Sequence, residues 1–148
     1  MTSRLTVTAV ALAVTVLSGC VVPARDDAAY RTNATQALQS ATSEARTAEL
    51  TLRHWLAGDV TTAYADTVVT ESEKALGPIQ TSFGAPDPSS RAVDALREDV
   101  TGRLSDTESA LALSRIALRR GDRDGVRQGA VQLDRLTAIL DQAAERLK

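Results

Sequence analysis

The clearest structural pattern in the chain lies in residues 34–55, ATQALQSATSEARTAELTLRHW. Apolar or small residues recur there at spacings of 4-3-4-3-4-3, at Ala34, Leu38, Ala41, Ala45, Ala48, Leu52 and Trp55. This spacing puts the side chains on one face of an α-helix, and it is typical of coiled coils and helix bundles. It predicts a long helix over about residues 27–57, ended by Gly58.

A second helical segment follows this first helix, and its pattern is less regular. Asp59 is a good N-cap residue, so we expect the helix to begin there and to end at Leu76. The Gly77-Pro78 pair should stop it, because proline has no backbone N–H and clashes with the preceding turn. Residues 77–87 are then predicted to form the one long loop. The inward-facing residues predicted for this helix are Val60, Tyr64, Val68 and Ala75.

Two more helices are predicted after that loop. Asp87 is the expected N-cap of the third helix, with Pro88 in its first turn, where a missing N–H costs nothing. The third helix should end near Arg120, and the fourth should begin after Gly121-Asp122, which repeats the earlier Gly-Asp turn. The predicted inward positions are Val93, Leu96, Val100, Leu104, Thr107, Leu111 and Leu118 in the third helix and Val126, Gly129, Leu133, Leu136, Leu140, Ala143 and Leu147 in the fourth.

These segments indicate an all-α protein, since no stretch alternates with a period of two for long enough to predict a sheet. Two long helical hairpins, each with a Gly-Asp turn, favour an antiparallel up-and-down four-helix bundle over residues 27–148. An open helical array is the second architecture that fits the pattern. Tetratricopeptide repeats are not indicated, because neither their 34-residue period nor their Trp-Leu-Gly-Tyr pattern is present.

The N-terminus carries a separate signal. Residues 1–4 contain one basic side chain, and residues 5–19 are uncharged and mostly apolar. This run is shorter than the roughly 20 residues that span a bilayer, and its pattern is typical of a secretory signal peptide. It ends in Leu17-Ser18-Gly19-Cys20, which resembles the lipobox of bacterial lipoproteins: an aliphatic residue, a small residue, Gly or Ala, then Cys.

The resemblance to bacterial lipoproteins implies that the Cys20 sulfur carries a diacylglyceryl group and that the signal is cleaved between Gly19 and Cys20. The expected organisation is therefore a signal peptide over residues 1–19, a lipidated start and short tether over residues 20–26, and the bundle. Lipidation would hold the bundle on the extracytoplasmic face of a cell membrane, inner or outer. The alternative is a chance cysteine at the end of an ordinary signal peptide or of an N-terminal membrane helix.

The composition argues against several function classes. The formal net charge is −2, which does not indicate nucleic-acid binding. Cys20 is the only cysteine and His54 the only histidine, so we expect no disulfide within the chain and no metal site. The glycines stand at predicted helix ends and form no phosphate-binding loop. We therefore expect no cofactor and no enzymatic activity.

The predicted topology collects aromatic and basic residues at the end of the bundle farthest from Cys20. They are Trp55, Tyr64, Arg115, Arg119, Arg120, Arg123 and Arg127. Arg and aromatic residues are enriched at binding hot spots, so this tip is a candidate surface for an envelope protein or an anionic wall polymer. The alternative is a solvated turn in which Trp55 and Tyr64 pack on each other in the core and Asp122 and Asp124 offset the arginines. At the opposite end, Phe83 in the predicted loop is the candidate for contact with lipid headgroups.

The function expected from these features is a non-enzymatic interaction or scaffold module of the cell envelope, anchored through lipid on Cys20. The alternative is a bundle that binds a lipid or another small apolar ligand between its helices. That alternative predicts a cavity of some hundreds of Å³.

Overall fold

The computed structural model describes residues 26–85 and 90–148. The predicted signal peptide, Cys20, and the tether up to residue 25 lie outside the described residues. Within them the chain forms four α-helices and no strand, namely α1 (Asp27–Ala57), α2 (Thr62–Gly84), α3 (Arg91–Arg119) and α4 (Arg123–Glu145). The prediction of an all-α fold is confirmed.

The ion pairs between helices establish the direction of each helix. Arg46 and Arg53 of α1 face Asp141 and Asp134 of α4, so residue numbers rise along one helix as they fall along the other. Further antiparallel pairs join α2 to α3. Among the described helices α1 contacts all three others, whereas α2 and α4 do not contact each other. The protein is therefore the predicted antiparallel bundle of two hairpins, with α1 and α3 touching across its diagonal.

The bundle has two distinct ends. We call the end where α1 and α3 begin, and α2 and α4 finish, the near end. The far end contains the two short turns between paired helices, residues 58–61 and 120–122. Gly58 and Gly121 in these turns have φ values of 88° and 67°, in the left-handed region that favours glycine.

The core follows the predicted stripes of α1, α3 and α4. All the alanines and leucines predicted on the inner face of α1 are fully buried, and Trp55 packs against the core while remaining partly exposed. In α3 and α4 the predicted residues are buried, apart from Leu96, Leu136 and Leu147, which are partly buried at its edge. Each helix is amphipathic, and among the described residues none has an apolar stretch that could cross a bilayer.

The predicted register of α2 was wrong by one position. Tyr64 is 57% exposed, and the residues that face the core are Ala65, Val69, Ser72, Leu76 and Phe83. A shift of one residue rotates a helix by about 100°, so the predicted positions Val68 and Ala75 lie at the edge of the core instead of in it. The helix also begins later than predicted. Thr61 is its N-cap and accepts a hydrogen bond from the Tyr64 N–H at 3.2 Å.

The predicted loop over residues 77–87 was also wrong in its first part, because α2 continues through Pro78 to Gly84. An interior proline removes one helical hydrogen bond but leaves the following turns free to continue where packing compensates. Here Ile79 and Phe83 continue the core face of α2. The Phe83 ring packs against Tyr30 of α1, with ring centroids 5.3 Å apart and planes inclined at 58°.

The start of α3 differs from the prediction as well. Ser90 is the N-cap, and its side chain accepts a hydrogen bond from the Val93 N–H, so the helix begins at Arg91, and Pro88 lies outside the described residues. The Ser90 hydroxyl also donates to the Asp27 carboxylate, which ties the starts of α3 and α1 together. The proposed cap residue Asp87 lies outside the described residues.

Candidate functional site

The far end brings together two of the predicted binding residues, Trp55 and Arg123. The Arg123 guanidinium lies over the Trp55 ring, 5.4 Å from its centroid, and donates to the Leu56 carbonyl at 2.5 Å. The indole N–H of Trp55 donates to the Thr62 hydroxyl at 3.0 Å. These contacts join the start of α4 to the end of α1 and the start of α2. Trp55 and Arg123 therefore brace the two hairpins against each other.

Arg115 and Arg119 are bound to acidic residues of α2. Arg115 donates to Glu73 through Nε at 2.5 Å and Nη2 at 3.1 Å, and both side chains are largely buried. The hydrogen bond to Glu73 raises the pKa of Arg115 above its usual value. Arg119 donates to Asp66 at 2.7 Å. These arginines hold α3 against α2.

The remaining predicted residues, Arg127, Arg120 and Tyr64, are more exposed. Arg127 pairs with Asp124 on its own helix. Arg120 is exposed, and its side chain has no hydrogen bond or ion pair with the residues that the structure describes. Tyr64 is too exposed to pack with Trp55 in the core, so that part of the alternative was wrong. Arg120 and Tyr64 are the predicted tip residues whose side chains remain available to a partner.

The charges at the far end balance. Four arginines stand there with four aspartates, namely Arg119, Arg120, Arg123 and Arg127 with Asp59, Asp66, Asp122 and Asp124. The tip therefore has no strong positive field despite its arginines. The signal that was overlooked is the spacing of Asp66 and Glu73 on α2, which places both on the face turned toward α3.

His54 lies at the same end but forms no catalytic arrangement with the described residues. Its Nδ1 lies 2.9 Å from the Asp59 carboxylate, and both side chains are about half exposed. No hydroxyl is bonded to the imidazole in the described part of the chain. That part also contains no group of His, Cys, Asp and Glu side chains that could hold a metal ion.

A groove between α1 and α2 near the opposite end was not predicted from the sequence. It has a volume of about 490 Å³ and is open to solvent. Its floor contains Ala37, Ile79 and Phe83, and the uncharged polar residues around it are Asn33, Gln36, Ser40 and Ser82. The groove was not expected because the predicted end of α2 at Gly77-Pro78 left Ile79 and Phe83 outside the helix. The 3-4-3-4 spacing over Val69, Ser72, Leu76, Ile79 and Phe83 was the available signal.

The aromatic pair beside this groove is part of the core. Phe83 is 3% exposed, so the hypothesis that it contacts lipid headgroups was wrong. Tyr30 is 1% exposed, and its hydroxyl has no hydrogen-bond partner among the described residues. Burial raises the pKa of Tyr30 above its ordinary value, with a smaller opposing influence from Arg97.

No protein-family model, curated protein or solved structure is significantly similar to this chain. The far-end surface, the near-end groove and the N-terminal motif are therefore the features from which a function can be proposed.

Proposed function

We propose that this protein is exported, lipidated on Cys20 and held on the extracytoplasmic face of a cell membrane, where its bundle acts as a non-enzymatic interaction module. The observation that carries the proposal is the Leu17-Ser18-Gly19-Cys20 motif at the end of an uncharged N-terminal segment. Each buried CH₂ group contributes about 0.8 kcal/mol to membrane binding, so two acyl chains anchor a protein stably where one does not.

The bundle geometry supports a direction for this module. Helix α1 begins seven residues after Cys20 and has 31 residues, so at 1.5 Å per residue it extends about 45 Å. The near end would face the membrane and the far end would face away from it. The far-end turns are then the part of the bundle that a partner in the envelope reaches most easily.

The balance of charge favours a protein partner over an anionic wall polymer. A polyanion binds best to a surface with excess positive charge, whereas the tip carries equal numbers of Arg and Asp. Most of its arginines are also bound within the chain. Arg120 and the exposed Tyr64 are the side chains that we expect to contact the partner.

Metabolic labelling with a fatty acid in a bacterial host tests the anchor. Cys20→Ala should lose the label and leave the membrane fraction. Ser18→Ala is the matched control, because alanine is also small and the motif remains complete. Label retained by Cys20→Ala would disprove lipidation at this residue.

Cross-linking in intact cells, followed by purification through a C-terminal tag, tests the partner surface. The double variant Arg120→Glu with Tyr64→Ala should lose a protein that the parent chain captures. Arg135→Glu on the exposed face of α4 is the control for the charge change. Capture that is equal in all three proteins would contradict binding at the far end. Earlier candidates such as Arg123 are unsuitable for this test, because their substitution also breaks contacts that hold the bundle together.

The near-end groove supports a second candidate function, binding of a lipid or another small apolar ligand. Its volume falls in the range of ligand sites, about 300–1,000 Å³. A fluorescent fatty acid is a suitable probe, and binding should raise the melting temperature. Ser40→Trp should block the groove, whereas Ser43→Trp, on another exposed part of α1, should not. Equal binding by both variants would exclude this groove as the site.

A further inference from the structure

The helix α2 has a weak point at Gly77-Pro78. Because Pro78 has no N–H, the Lys74 carbonyl lacks the hydrogen bond that residue 78 would normally donate. A Cβ atom at Gly77 would meet no atom of another helix within 4 Å, so the backbone faces open space on that side. The Thr81 hydroxyl donates to the Gly77 carbonyl, an interaction that often accompanies bending of a helix. Bending of α2 therefore costs least at this point.

In the two turns beyond this point, Pro78–Gly84, only Phe83 is buried, whereas residues 65–76 contain four buried side chains. On the side of α1 the two turns border the open groove of about 490 Å³, where the opposing side chains are short or polar. The contacts that hold them are the packing of Ile79 and Phe83 on the core, the ring contact of Phe83 with Tyr30, the hydrogen bond from Gln80 to Glu108 at 2.9 Å, and the Arg97 guanidinium donating to the Gly84 carbonyl at 2.7 Å.

The Tyr30 hydroxyl is the third observation. It is buried beneath Phe83 and has no hydrogen-bond partner among the described residues, which leaves the desolvation of this group uncompensated. If Phe83 moves away, water reaches the hydroxyl and this cost disappears. The buried Tyr30 hydroxyl therefore raises the free energy of the closed arrangement, and opening removes this cost because the hydroxyl can then bond to water.

We propose that residues 78–84 form a flap that opens as one unit from Gly77-Pro78 onward, with loss of its helical hydrogen bonds, while the rest of the bundle stays folded. Such partial opening is a general property of segments with few buried contacts. Opening uncovers Tyr30, Phe83 and the groove floor at Ala37, and so converts a shallow groove into a larger apolar surface. This inference does not depend on lipidation or on a partner at the far end.

Native-state hydrogen exchange, resolved by residue, tests the flap. Amides of residues 79–85 should share one opening free energy and exchange at least about tenfold faster than those of residues 65–76. Simple fraying would instead give rates that increase gradually toward Ala85. A graded profile, or equal protection in both segments, would overturn the proposal.

Substitutions provide the second part of the test. Pro78→Ala restores the missing hydrogen bond and should slow exchange over residues 79–85 by about tenfold to a hundredfold. Gly102→Ala is the control, because it removes another weak helix residue at a site in α3 with no neighbours. It should not change the ratio between the two α2 segments. If the ratio of exchange rates between residues 79–85 and 65–76 is the same in Pro78→Ala as in Gly102→Ala, the hinge is not at Pro78.

A loosening variant covers the case in which Pro78→Ala does not fold. Phe83→Ala should accelerate exchange of residues 79–85 about tenfold or more and leave residues 65–76 within about twofold of the parent, since the lost contact belongs to the flap. Tyr30→Phe should act in the opposite direction, because it removes the unpartnered hydroxyl. Acceleration of both α2 segments to the same extent by Phe83→Ala would contradict an independent flap.

Discussion

Gly129 lies where α4 closely approaches α3. A methyl group at this position would overlap with the Ser114 hydroxyl and lie 3.1 Å from Ser114 Cβ. Ser114 is itself buried and donates to the Ala110 carbonyl at 2.7 Å. The absence of a side chain at Gly129 therefore allows the two helices to approach each other, and it explains why a residue with poor helix propensity lies inside α4.

We expect Gly129→Ala to lower the free energy of unfolding by about 1–3 kcal/mol, because overpacking outweighs the gain in helix propensity. Gly102→Ala, at a position open on all sides, should raise it by about 0.5–1 kcal/mol. Urea denaturation of both variants measures the difference. Changes of the same sign would show that α3 and α4 are not in close contact at Gly129.

Arg123 and Arg120 differ in what they bind, although both stand at the same turn. Arg123→Ala removes the hydrogen bond to the Leu56 carbonyl and the contact with Trp55, so we expect a loss of about 1 kcal/mol. Arg120→Ala should change stability by less than about 0.5 kcal/mol. Thermal unfolding of the two variants checks this, and equal effects would contradict a bracing role for Arg123.

Burial of Tyr30 predicts a dependence of stability on alkaline pH. Its pKa is raised in the folded protein above the value of about 10 that the unfolded chain has. The folded state therefore holds this proton more tightly, and the free energy of unfolding should fall as the pH rises above about 10. Denaturation at several pH values should show a smaller decline for Tyr30→Phe. Tyr64→Phe, at an exposed position, is the control, and equal slopes for the two variants would refute the effect.

At the scale of the helices, N-caps distinguish the two Gly-Asp turns. The Asp122 carboxylate accepts a hydrogen bond from the Gly125 N–H at 3.0 Å, whereas Asp59, the predicted cap, contacts His54 and leaves capping to Thr61. We expect Asp122→Ala and Thr61→Ala each to cost about 1 kcal/mol. Asp59→Ala should cost less than about 0.5 kcal/mol, since its partner is exposed. A larger loss for Asp59→Ala than for Thr61→Ala in chemical denaturation would reverse this assignment.

The helices also show what the sequence could and could not predict. The stripe of α1 was unambiguous, because alanine and leucine occupy one face and polar residues the others. In α2 both Val68 and Val69 are apolar, and the true core face includes the polar Ser72, so the pattern did not single out one register. Pro78 removes a helical hydrogen bond but does not end α2. The helix continues because Phe83 packs against Tyr30 of another helix, and no local sequence pattern shows that contact.

The candidate sites were less predictable than the fold for a similar reason. The sequence correctly predicted that the arginines lie at one end of the bundle. Whether each arginine forms an ion pair depends on which residue of another helix faces it. Glu73 lies 42 residues from Arg115 in the chain and Asp66 lies 53 from Arg119. Such pairs follow from the register between α2 and α3, which the sequence left undetermined. The groove depends in the same way on the register between α1 and α2, whose residues line it.

At the scale of the whole molecule, the most extensive contact between helices joins α1 to α4 and so links the two hairpins. Both helices bury small residues, including Ala41 and Ala45 of α1 and Ala144 of α4. Small side chains let helices approach closely, but each buries little apolar area. Stability therefore depends on the full length of the interface, and neither hairpin should be stable alone.

Two truncations test this cooperativity. Removal of residues 134–148 takes away the second half of α4, including the buried Leu140, Ala143 and Ala144. Truncation of one buried leucine to alanine already costs about 2–5 kcal/mol, against a typical total of about 5–15 kcal/mol for a domain. We therefore expect residues 26–133 to lose helical structure throughout, whereas residues 26–148 should unfold in a single transition. Circular dichroism with urea denaturation measures both. Stable helical structure in the shorter chain would mean that one hairpin folds independently. The two hairpins would then be separate folding units that dock through α1 and α4, and the bundle would not be a single cooperative domain.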